Sequence, residues 1–408
     1  MSDIGRTVDA VWRIEGARIV AALARVTGDV GFAEDVAQEA LVDALRQWPE
    51  SGVPRNAGAW LTAVAKRRAI DHWRRGERLD ERYRVLAGQL EDVQEHEWQQ
   101  IDDDVLRLVF AACHPVLSRQ AQIPLTLRVV GGLTTEEIAR MLLVPVATVQ
   151  QRIVRAKRTL TAARISLDTP EADEWGERLG AVLGVVYLIF TEGYAATRGD
   201  RWIRPDLANE ALRLGRVLAE LTPHEPEVHG LVALMELQAS RFAARIARDG
   251  TPIQLADQDR SRWDRAQIER GRQALERADA VGRGRGSYAL QASIAECHAV
   301  ASSVEETDWD RIVLLYEALG QLAPSPVVEL NRAVAVSMAS GPAEALPIVD
   351  QLVADGALSG SHLLPSVRGE LLSQLGCTDQ ARADLRTAAG LATNERERRV
   401  LEAKAAAL

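Results

Sequence analysis

The chain has 408 residues, of which 47% are apolar and 26% charged, and its formal net charge is −9. This length predicts about two or three domains, and this composition excludes a wholly disordered chain. No apolar run reaches the roughly 18 residues of a membrane span, and no basic segment followed by an apolar one suggests a secretory signal. The three cysteines, Cys113, Cys297 and Cys377, are far apart, which excludes a disulfide framework and favours the cytoplasm.

The charges are unevenly distributed along the chain. Residues 1–165 carry 23 basic and 22 acidic residues, whereas residues 166–408 carry 26 and 36. The first part is therefore close to neutral and contains local basic clusters, and the second part is acidic. A nucleic-acid surface is expected in the first part, because phosphates attract basic clusters and are repelled by acidic surfaces.

Apolar residues recur at helical spacing almost throughout, and runs with a period of two are nearly absent, so the predicted fold class is all-α. The first helical block covers residues 9–48. Pro49 is predicted to stop it, because proline lacks the N–H that continues a helical hydrogen-bond ladder. The apolar stripe of this block consists of Val36, Ala40, Leu41, Ala44, Leu45 and Trp48.

A further helix is predicted over 57–75, after a loop over 50–56. Trp60 and Trp73 lie near its ends. Guanidinium groups neutralise phosphates, and tryptophan stacks on unpaired bases with about 1–3 kcal/mol per base, so this helix is a candidate nucleic-acid surface. The alternative is a surface helix whose tryptophans fill a core. Its basic residues are Lys66, Arg67, Arg68, Arg74 and Arg75.

Residues 81–104 are predicted to link two domains. Between 90 and 104 this segment contains seven acidic residues and no Lys or Arg. Such a charge run is typical of a solvated tether. The alternative is an acidic decoy that occupies a nucleic-acid channel.

Residues 105–165 are predicted to form a compact helical domain that ends in a helix-turn-helix. Thr134 and Glu137 have the spacing of a capping box, and Pro145 can begin a second helix after a short turn. The segment 147–164 has five basic residues and no acidic one, which is typical of a recognition helix, although hairpins that bind no DNA share the pattern. The predicted inner face consists of Ile138, Ala139, Leu142, Val149, Ile153 and Leu160.

Helical patterns separated by short polar breaks continue from 166 to 408. Over 309–390 they recur with a loose period of about 34 residues, with glycine at turns and proline after the second helix, which predicts a tetratricopeptide-like array of helix pairs. Such arrays present concave surfaces to peptides and proteins, so a regulatory protein or peptide is an expected partner of this region.

The first part of the chain resembles a known family in three places. These are AEDVAQEAL at 33–41, AWL at 59–61 with IDHWRR at 70–75, and LTTEEIA at 133–139 with RIVRAK at 152–157. In this order and spacing they resemble a sigma-70 class sigma factor of the extracytoplasmic-function (ECF) subfamily, in the subgroup with a tetratricopeptide-like C-terminal extension.

The rear of the chain also resembles that subgroup, at 186–194, 257–263 and 324–335. Two departures concern the helix-turn-helix. Leu143 stands where most ECF factors have glycine in the turn, and Gln150 stands where a basic residue is common. Both departures bear on which promoter would be read.

The resemblance implies a sigma-2-like domain over 1–80, the acidic linker over 81–104, a sigma-4-like domain over 105–165 and a helical extension over 166–408. The implied contacts with core RNA polymerase are Asp35, Gln38, Glu39, Leu41 and Trp48. The implied contacts with the −10 element of promoter DNA are Arg55, Asn56, Trp60, Lys66, Arg67, Arg68, Asp71, Arg74 and Arg75. The implied contacts with the −35 element are Thr148, Gln150, Gln151, Arg152, Arg155, Lys157 and Arg158.

Two alternatives to a sigma factor remain: a free DNA-binding regulator with a tetratricopeptide effector domain, and an enzyme housed in 166–408. Only a sigma factor needs the helices at 33–48 and 57–75. No catalytic triad or paired-carboxylate motif is present, so an enzyme is not expected, and neither are a cofactor or a metal. The adjacent pairs Cys113–His114 and Cys297–His298 would point apart on a helix.

Two segments of the rear carry residues of uncertain role. Asp257, Asp259, Arg260, Arg262 and Trp263 could form a ligand site, and the alternative is a salt-bridged loop that packs on the helices. Glu192, beside Gly193 and Tyr194, has the same two interpretations. The glycines between 282 and 286 follow no strand and lack the residues of a phosphate loop, so a flexible turn is expected there.

Overall fold

The chain is almost entirely helical where the computed structural model describes it. Eighteen helices, numbered α1 to α18 in chain order, and three short 3-10 helices are described. The all-α prediction is confirmed, and the helices form two compact units, Met1–Ile189 and Phe190–Leu408. The described residues are 3–75, 98–142, 144–165, 167, 170–194, 205–247, 253–392 and 395–408.

Three helices begin the first unit and pack on one another, and Trp12, Leu23 and Trp48 are buried in this unit. Only two residues separate the first helix from the second. Gly28 makes this turn with a φ of 68°, and Asp29 caps the second helix by accepting a hydrogen bond from the Phe32 N–H at 3.0 Å. The bounds are α1 Asp3–Thr27, α2 Val30–Ser51 and α3 Ala57–Arg75, and α3 matches the predicted helix at both ends.

The predicted end of α2 at Pro49 is wrong, because the helix continues to Ser51. A proline in the last turn removes a single hydrogen bond just before the chain leaves the helix. Gly52 ends α2 instead: its φ is 78°, and its N–H donates to the Trp48 carbonyl at 3.0 Å. In the predicted apolar stripe, Leu45 is an exception, since it is 48% exposed.

Four more helices follow in the same unit: α4 Trp98–Ala112, α5 Arg119–Val129, α6 Thr135–Leu142 and α7 Val146–Ala162. Leu125, Leu127, Ile138 and Val149 are fully buried among them. In addition, α4 packs on α1, and α7 packs on α2. The helices of the two predicted front domains therefore belong to one compact unit.

The acidic segment that was predicted as a linker extends into α4. Residues 98–104 form the first turns of this helix, and residues 81–97 lie outside the described part of the chain. Asp104 is buried, and its carboxylate lies 3.2 Å from Arg25 Nε and 3.1 Å from Arg107 Nη1. Asp104 thus helps to hold α4 against α1.

The boundary between the two units falls within α8, which spans Trp175–Tyr194. In the second unit, α10 is buried along nearly its whole length and packs against α9, α11 and α12. Gly230 lets α10 approach α12, because a Cβ at this position would lie 2.7 Å from the Ala289 nitrogen. The bounds are α9 Pro205–Leu221, α10 Pro226–Ala239, α11 Arg265–Ala280 and α12 Ser287–Val300.

The remaining helices form an array in which each helix packs on the next one along the chain. This arrangement confirms the helical array predicted near 309–390. Gly376 makes the predicted turn between two of the helices with a φ of 76°. Among the described residues, no helix is both long enough and apolar enough to cross a membrane. The bounds are α13 Trp309–Leu322, α14 Pro326–Ser340, α15 Pro342–Ala354, α16 Leu363–Gln374, α17 Thr378–Leu391 and α18 Glu395–Ala407.

Candidate nucleic-acid interface

Helices α6 and α7 form the predicted helix-turn-helix. The Thr134 N–H donates to Glu137 Oε2 at 2.9 Å, and the Glu137 N–H donates to Thr134 Oγ1 at 3.1 Å, so the predicted capping box is confirmed. Pro145 precedes α7 with a φ of −58°, which its ring favours. Leu143, in the turn, lies outside the described residues.

Helix α7 has one buried and one polar face. Val149, Ile153, Ala156 and Leu160 are buried at helical spacing, and they hold α7 against α5 and α6. Glutamine and arginine on the other face are suited to the adenine and guanine edges of a major groove. On that face Gln150, Gln151, Arg155 and Arg158 are exposed, and Thr148 and Arg152 are half-buried.

Lys157 differs from the other basic residues of α7, because it is turned toward α2. Its Nζ lies 2.5 Å from Glu34 Oε2 and 2.9 Å from Asp35 Oδ1. Burial by itself would lower the pKa of Lys157, but the two carboxylates raise it above its ordinary value. A predicted −35 contact is thus paired with a predicted polymerase contact.

Glu34 is the centre of this contact. Its side chain is 5% exposed, and Oε1 accepts a hydrogen bond from Arg128 Nε at 2.8 Å while Oε2 faces Lys157. Arg128 also donates through Nη1 to the Leu133 carbonyl at 3.0 Å, which ties α5 to the segment before α6. Nearby, Thr161 Oγ1 donates to Asp29 Oδ2 at 3.2 Å. A buried carboxylate is stable only when it is paired, and Glu34 has two cations.

Glu34 and Arg128 are not among the site residues predicted from the sequence. The signal for Glu34 was present, since it lies four residues after buried Val30 and three before buried Ala37, on one face of α2. A charged residue within an apolar helical face indicates a buried ion pair. Arg128 carried no comparable signal, because its partner is 94 residues away along the chain.

The predicted polymerase contacts lie along α2. Asp35 has an exposed side chain, and Gln38, Glu39 and Leu41 are half-buried. His72 Nε2 of α3 lies 3.0 Å from Glu39 Oε1. Trp48 is 1% exposed and packs edge-on against Trp60 at a ring-centre distance of 5.5 Å. Trp48 therefore supports this surface from beneath rather than forming part of it.

The predicted −10 residues of α3 differ in how free they are. Arg67 is exposed, whereas Arg68 binds Asp43 of α2 through Nε at 3.0 Å and Nη2 at 2.7 Å. The hydrogen bond with Asp43 raises the pKa of Arg68. Burial, together with the charge of Arg25, lowers the pKa of Lys66. Sequence spacing could not reveal the Asp43 partner, because it lies on another helix.

The other predicted −10 residues lie at the two ends of α3. At the start, Arg55 and Asn56 are exposed, and Asn56 Oδ1 caps the helix by accepting a hydrogen bond from the Ala59 N–H at 2.9 Å. Trp60 is half-buried on Trp48, and Asp71 is half-buried toward the other end. The side chains of Arg74 and Arg75 lie outside the described residues.

Three families match parts of the chain. Residues 13–79 match sigma-70 region 2, and residues 107–160 match sigma-70 region 4. The first match contains most of α1, α2 and α3, and the second contains the helix-turn-helix. Residues 178–279 match a family of unknown function (DUF6596).

Curated relatives match either nearly the whole chain or a smaller part of it. An uncharacterised protein of Rhizobium meliloti is 44% identical over 390 residues, which cover 92% of this chain and 90% of that protein. The probable ECF RNA polymerase sigma factor SigI of Mycobacterium tuberculosis is 29% identical over 171 residues, or 40% of this chain and 58% of SigI. The ECF RNA polymerase sigma factor SigL of the same organism is 34% identical over 144 residues, which cover 33% of this chain and 76% of SigL. No solved structure matches the chain.

Arg128→Gln is expected to lower the free energy of unfolding of the first unit by about 3 kcal/mol, because it leaves the buried Glu34 with one cation instead of two. The matched control is Arg13→Gln, whose ion pair with Glu137 at 2.7 Å is more exposed and should contribute less than about 1 kcal/mol. Urea unfolding followed by tryptophan fluorescence measures the free energy of unfolding of both variants. Equal losses in the two variants would contradict a special role of the Glu34 pair.

Proposed function

Since the chain belongs to the ECF subfamily of the sigma-70 factors and is a factor for transcription initiation, we propose that it binds core RNA polymerase and directs it to a specific class of promoters. The observation that carries this proposal is the presence, in one unit and in this order, of a three-helix region 2 and a capped helix-turn-helix of region 4. The proposed role would place the chain in the cytoplasm, and it requires no catalytic group of the chain's own.

We propose that α7 reads the −35 element from the major groove. Gln151, Arg155 and Arg158 are spaced four and three residues apart, so they share one face of the helix, and all three are exposed. Gln151 and Arg155 are suited to base edges, and Arg158 to phosphate. Gln150 is neutral where a basic residue is common in this subfamily, so the phosphate contacts would depend more heavily on Arg158.

We propose that the start of α3 and the preceding loop capture the −10 element. Arg55 and Asn56 are exposed there, and the half-buried Trp60 rests on Trp48, which would hold its ring in place for an unpaired base. The exposed Arg67 would contact the phosphate backbone of the DNA. Arg68 would contribute less, because its guanidinium is already bound to Asp43.

The proposed polymerase surface is the outer side of α2. Asp35, Gln38, Glu39 and Leu41 combine carboxylates with an apolar edge, and this combination suits a partner helix that carries basic residues around an apolar stripe. Trp48 would stiffen the surface from below. A free DNA-binding regulator would not need this helix to be exposed.

We propose that the helical extension regulates initiation. Its acidic excess, with 36 acidic against 26 basic residues over 166–408, would repel DNA, so its effect would come through protein contacts or through a bound effector. The helical array offers surfaces of the kind that bind peptides and proteins.

Promoter-selective transcription in vitro tests the proposed role. The full chain with core RNA polymerase is expected to produce transcripts from a defined site in the DNA upstream of its own gene. Gln151→Ala should relax base preference at one −35 position, by about 1–3 kcal/mol of lost discrimination, while Arg158→Ala should weaken all promoters alike. Arg386→Ala, which changes an exposed arginine of α17, is the control. It should change neither the base preference nor the overall level of transcription. Failure of the full chain to bind core polymerase would leave a free DNA-binding regulator as the better account.

Truncation after residue 194 tests the regulatory role of the extension. This cut keeps α8, because Trp175 packs edge-on against Phe110 of α4 at 5.2 Å. If the extension restrains or assists initiation, transcription or polymerase affinity of the fragment should differ from that of the full chain by at least threefold. Values that agree within experimental error would contradict this part of the proposal.

A further inference from the structure

The segments 192–194 and 257–263, whose role the sequence leaves open, meet in the second unit around arginines. Arg245 is 7% exposed, its guanidinium carbon lies 3.5 Å from the centre of the Tyr194 ring, and it donates to the Tyr194 carbonyl. The guanidinium carbon of Arg241 lies 5.9 Å from the Tyr194 ring centre and 5.8 Å from that of Trp263. Arg241 also donates to the Tyr194 hydroxyl, so it joins the two segments.

A third arginine completes the cluster. Arg260 is 7% exposed, and its guanidinium carbon lies 5.1 Å from the centre of the Trp263 ring. It is held rigidly, because Nη1 donates to the carbonyls of His298 at 2.7 Å and Ala301 at 2.8 Å. Three guanidinium groups thus surround two aromatic rings.

The cluster has an excess of positive charge. Within the described ranges of the chain, none of the three arginines forms an ion pair with a carboxylate. Burial lowers the pKa of Arg245 to about 10, Tyr194 opposes this shift, and Arg241 adds to it. The carboxylate that acts on Arg260 from a distance, Glu305, is exposed. Buried like charges without a counter-ion destabilise a fold.

Two buried ring nitrogens in the same place lack hydrogen-bond partners among the described residues. These are Nε1 of Trp263, which is 2% exposed, and Nδ1 of His298. Burial, followed by the charges of Arg241 and Arg260, lowers the pKa of His298 to about 4, so its ring is neutral near pH 7. Polar atoms that lose water without gaining a partner also destabilise the fold. Charge and hydrogen bonding therefore both suit a polar, negatively charged ligand at this place.

We propose that this arginine–aromatic cluster binds a small oxyanion, a carboxylate or a phosphate, with Arg241 and Arg245 as the principal ligands. A guanidinium group offers paired N–H donors whose geometry matches both kinds of anion. The site lies within the second unit, and its three arginines lie within the DUF6596 match, so it goes beyond promoter recognition and gives the extension an effector site of its own.

Calorimetric titration of the full chain tests the site, with inorganic phosphate in one series and succinate in another, at constant ionic strength in chloride. Saturable binding of one anion per chain is expected, and the stronger of the two responses identifies the source of the oxyanion. Arg241→Gln should weaken binding at least tenfold, and Arg241→Lys, which keeps the charge but loses the paired donors, should weaken it less. Arg262→Gln, an exposed arginine in the same 3-10 helix as Arg260, is the control and should change affinity less than twofold.

The absence of saturable binding for both anions would overturn the proposal, and so would equal effects of the changes at 241 and 262 in variants with wild-type circular dichroism. Glu192→Gln provides a further check, since the side chain of Glu192 lies outside the described residues. Binding that appears only in this variant would mean that the chain supplies its own counter-charge, and the anion site would then be rejected.

In the first unit, the contact between α2 and α7 engages two surfaces that are proposed to bind different partners. Lys157 is 14% exposed while it is paired with Glu34 and Asp35, so it cannot reach DNA at the same time. Asp35 is likewise engaged on the proposed polymerase surface. We infer that these three residues form a latch that holds the free chain inactive until polymerase supplies other cations to α2; this inference rests on the proposed function.

A reversible disulfide tests the latch. A Cβ at Gly31 would lie 3.4 Å from the Lys157 Cβ, which is close to the separation in natural disulfides, so Gly31→Cys with Lys157→Cys should cross-link α2 to α7. Cys377→Ser removes the exposed native thiol, while Cys113 and Cys297 are buried. The oxidised protein should show at least 90% less promoter-selective transcription than the same double-cysteine protein after reduction.

Gly31→Cys with Cys377→Ser is the matched control. Neither oxidation nor reduction should change its promoter-selective transcription. Equal transcription by the oxidised and reduced double-cysteine proteins would overturn the latch while leaving the sigma role intact. Absence of transcription from the reduced and wild-type proteins alike would count against the proposed function instead.

Discussion

The carboxylate of Glu34 sets the arrangement of the first unit. It is withdrawn from water on α2 and is shared by Arg128 of α5 and Lys157 of α7, so one acidic group joins three helices. A buried carboxylate without a partner would destabilise the fold, so Arg128 and Lys157 have to pack beside Glu34. On α7, the ion pair of Lys157 acts together with the buried face of Val149, Ile153 and Leu160 to orient the helix. With Lys157 turned inward, Gln151, Arg155 and Arg158 are left as the outer polar face.

Features governed by neighbours in sequence were predictable. The capping box of Thr134 and Glu137 needs only a spacing of three residues, and the bounds of α3 follow from a loop with Pro54 before it and a continuous helical pattern within it. The error at Pro49 has the same local origin. Proline was treated as a complete stop, although Gly52, three residues later, provides the positive φ that ends the helix.

Features that depend on distant residues were not predictable from the sequence. Arg68 was assigned to DNA because basic residues surround it, but its partner Asp43 lies on another helix. Lys157 is likewise one basic residue among several on α7 until the fold brings Glu34 beside it. In the second unit, the roles of 192–194 and 257–263 are ambiguous in sequence, and only the fold brings Arg241 between Tyr194 and Trp263. Patterns of charge thus locate a surface, whereas long-range pairing decides which of its residues remain free.

The array from α13 to α18 has a consequence for synthesis. Each helix rests mainly on the one made just before it, so ordering it requires closure of only a short loop. The array can therefore grow one helix at a time as the chain leaves the ribosome, without waiting for a distant segment. The first unit is different, because Glu34 must await Arg128 and Lys157, which are translated roughly a hundred residues later. During synthesis, the Glu34 carboxylate of α2 consequently has no cation beside it until α5 and α7 have been made.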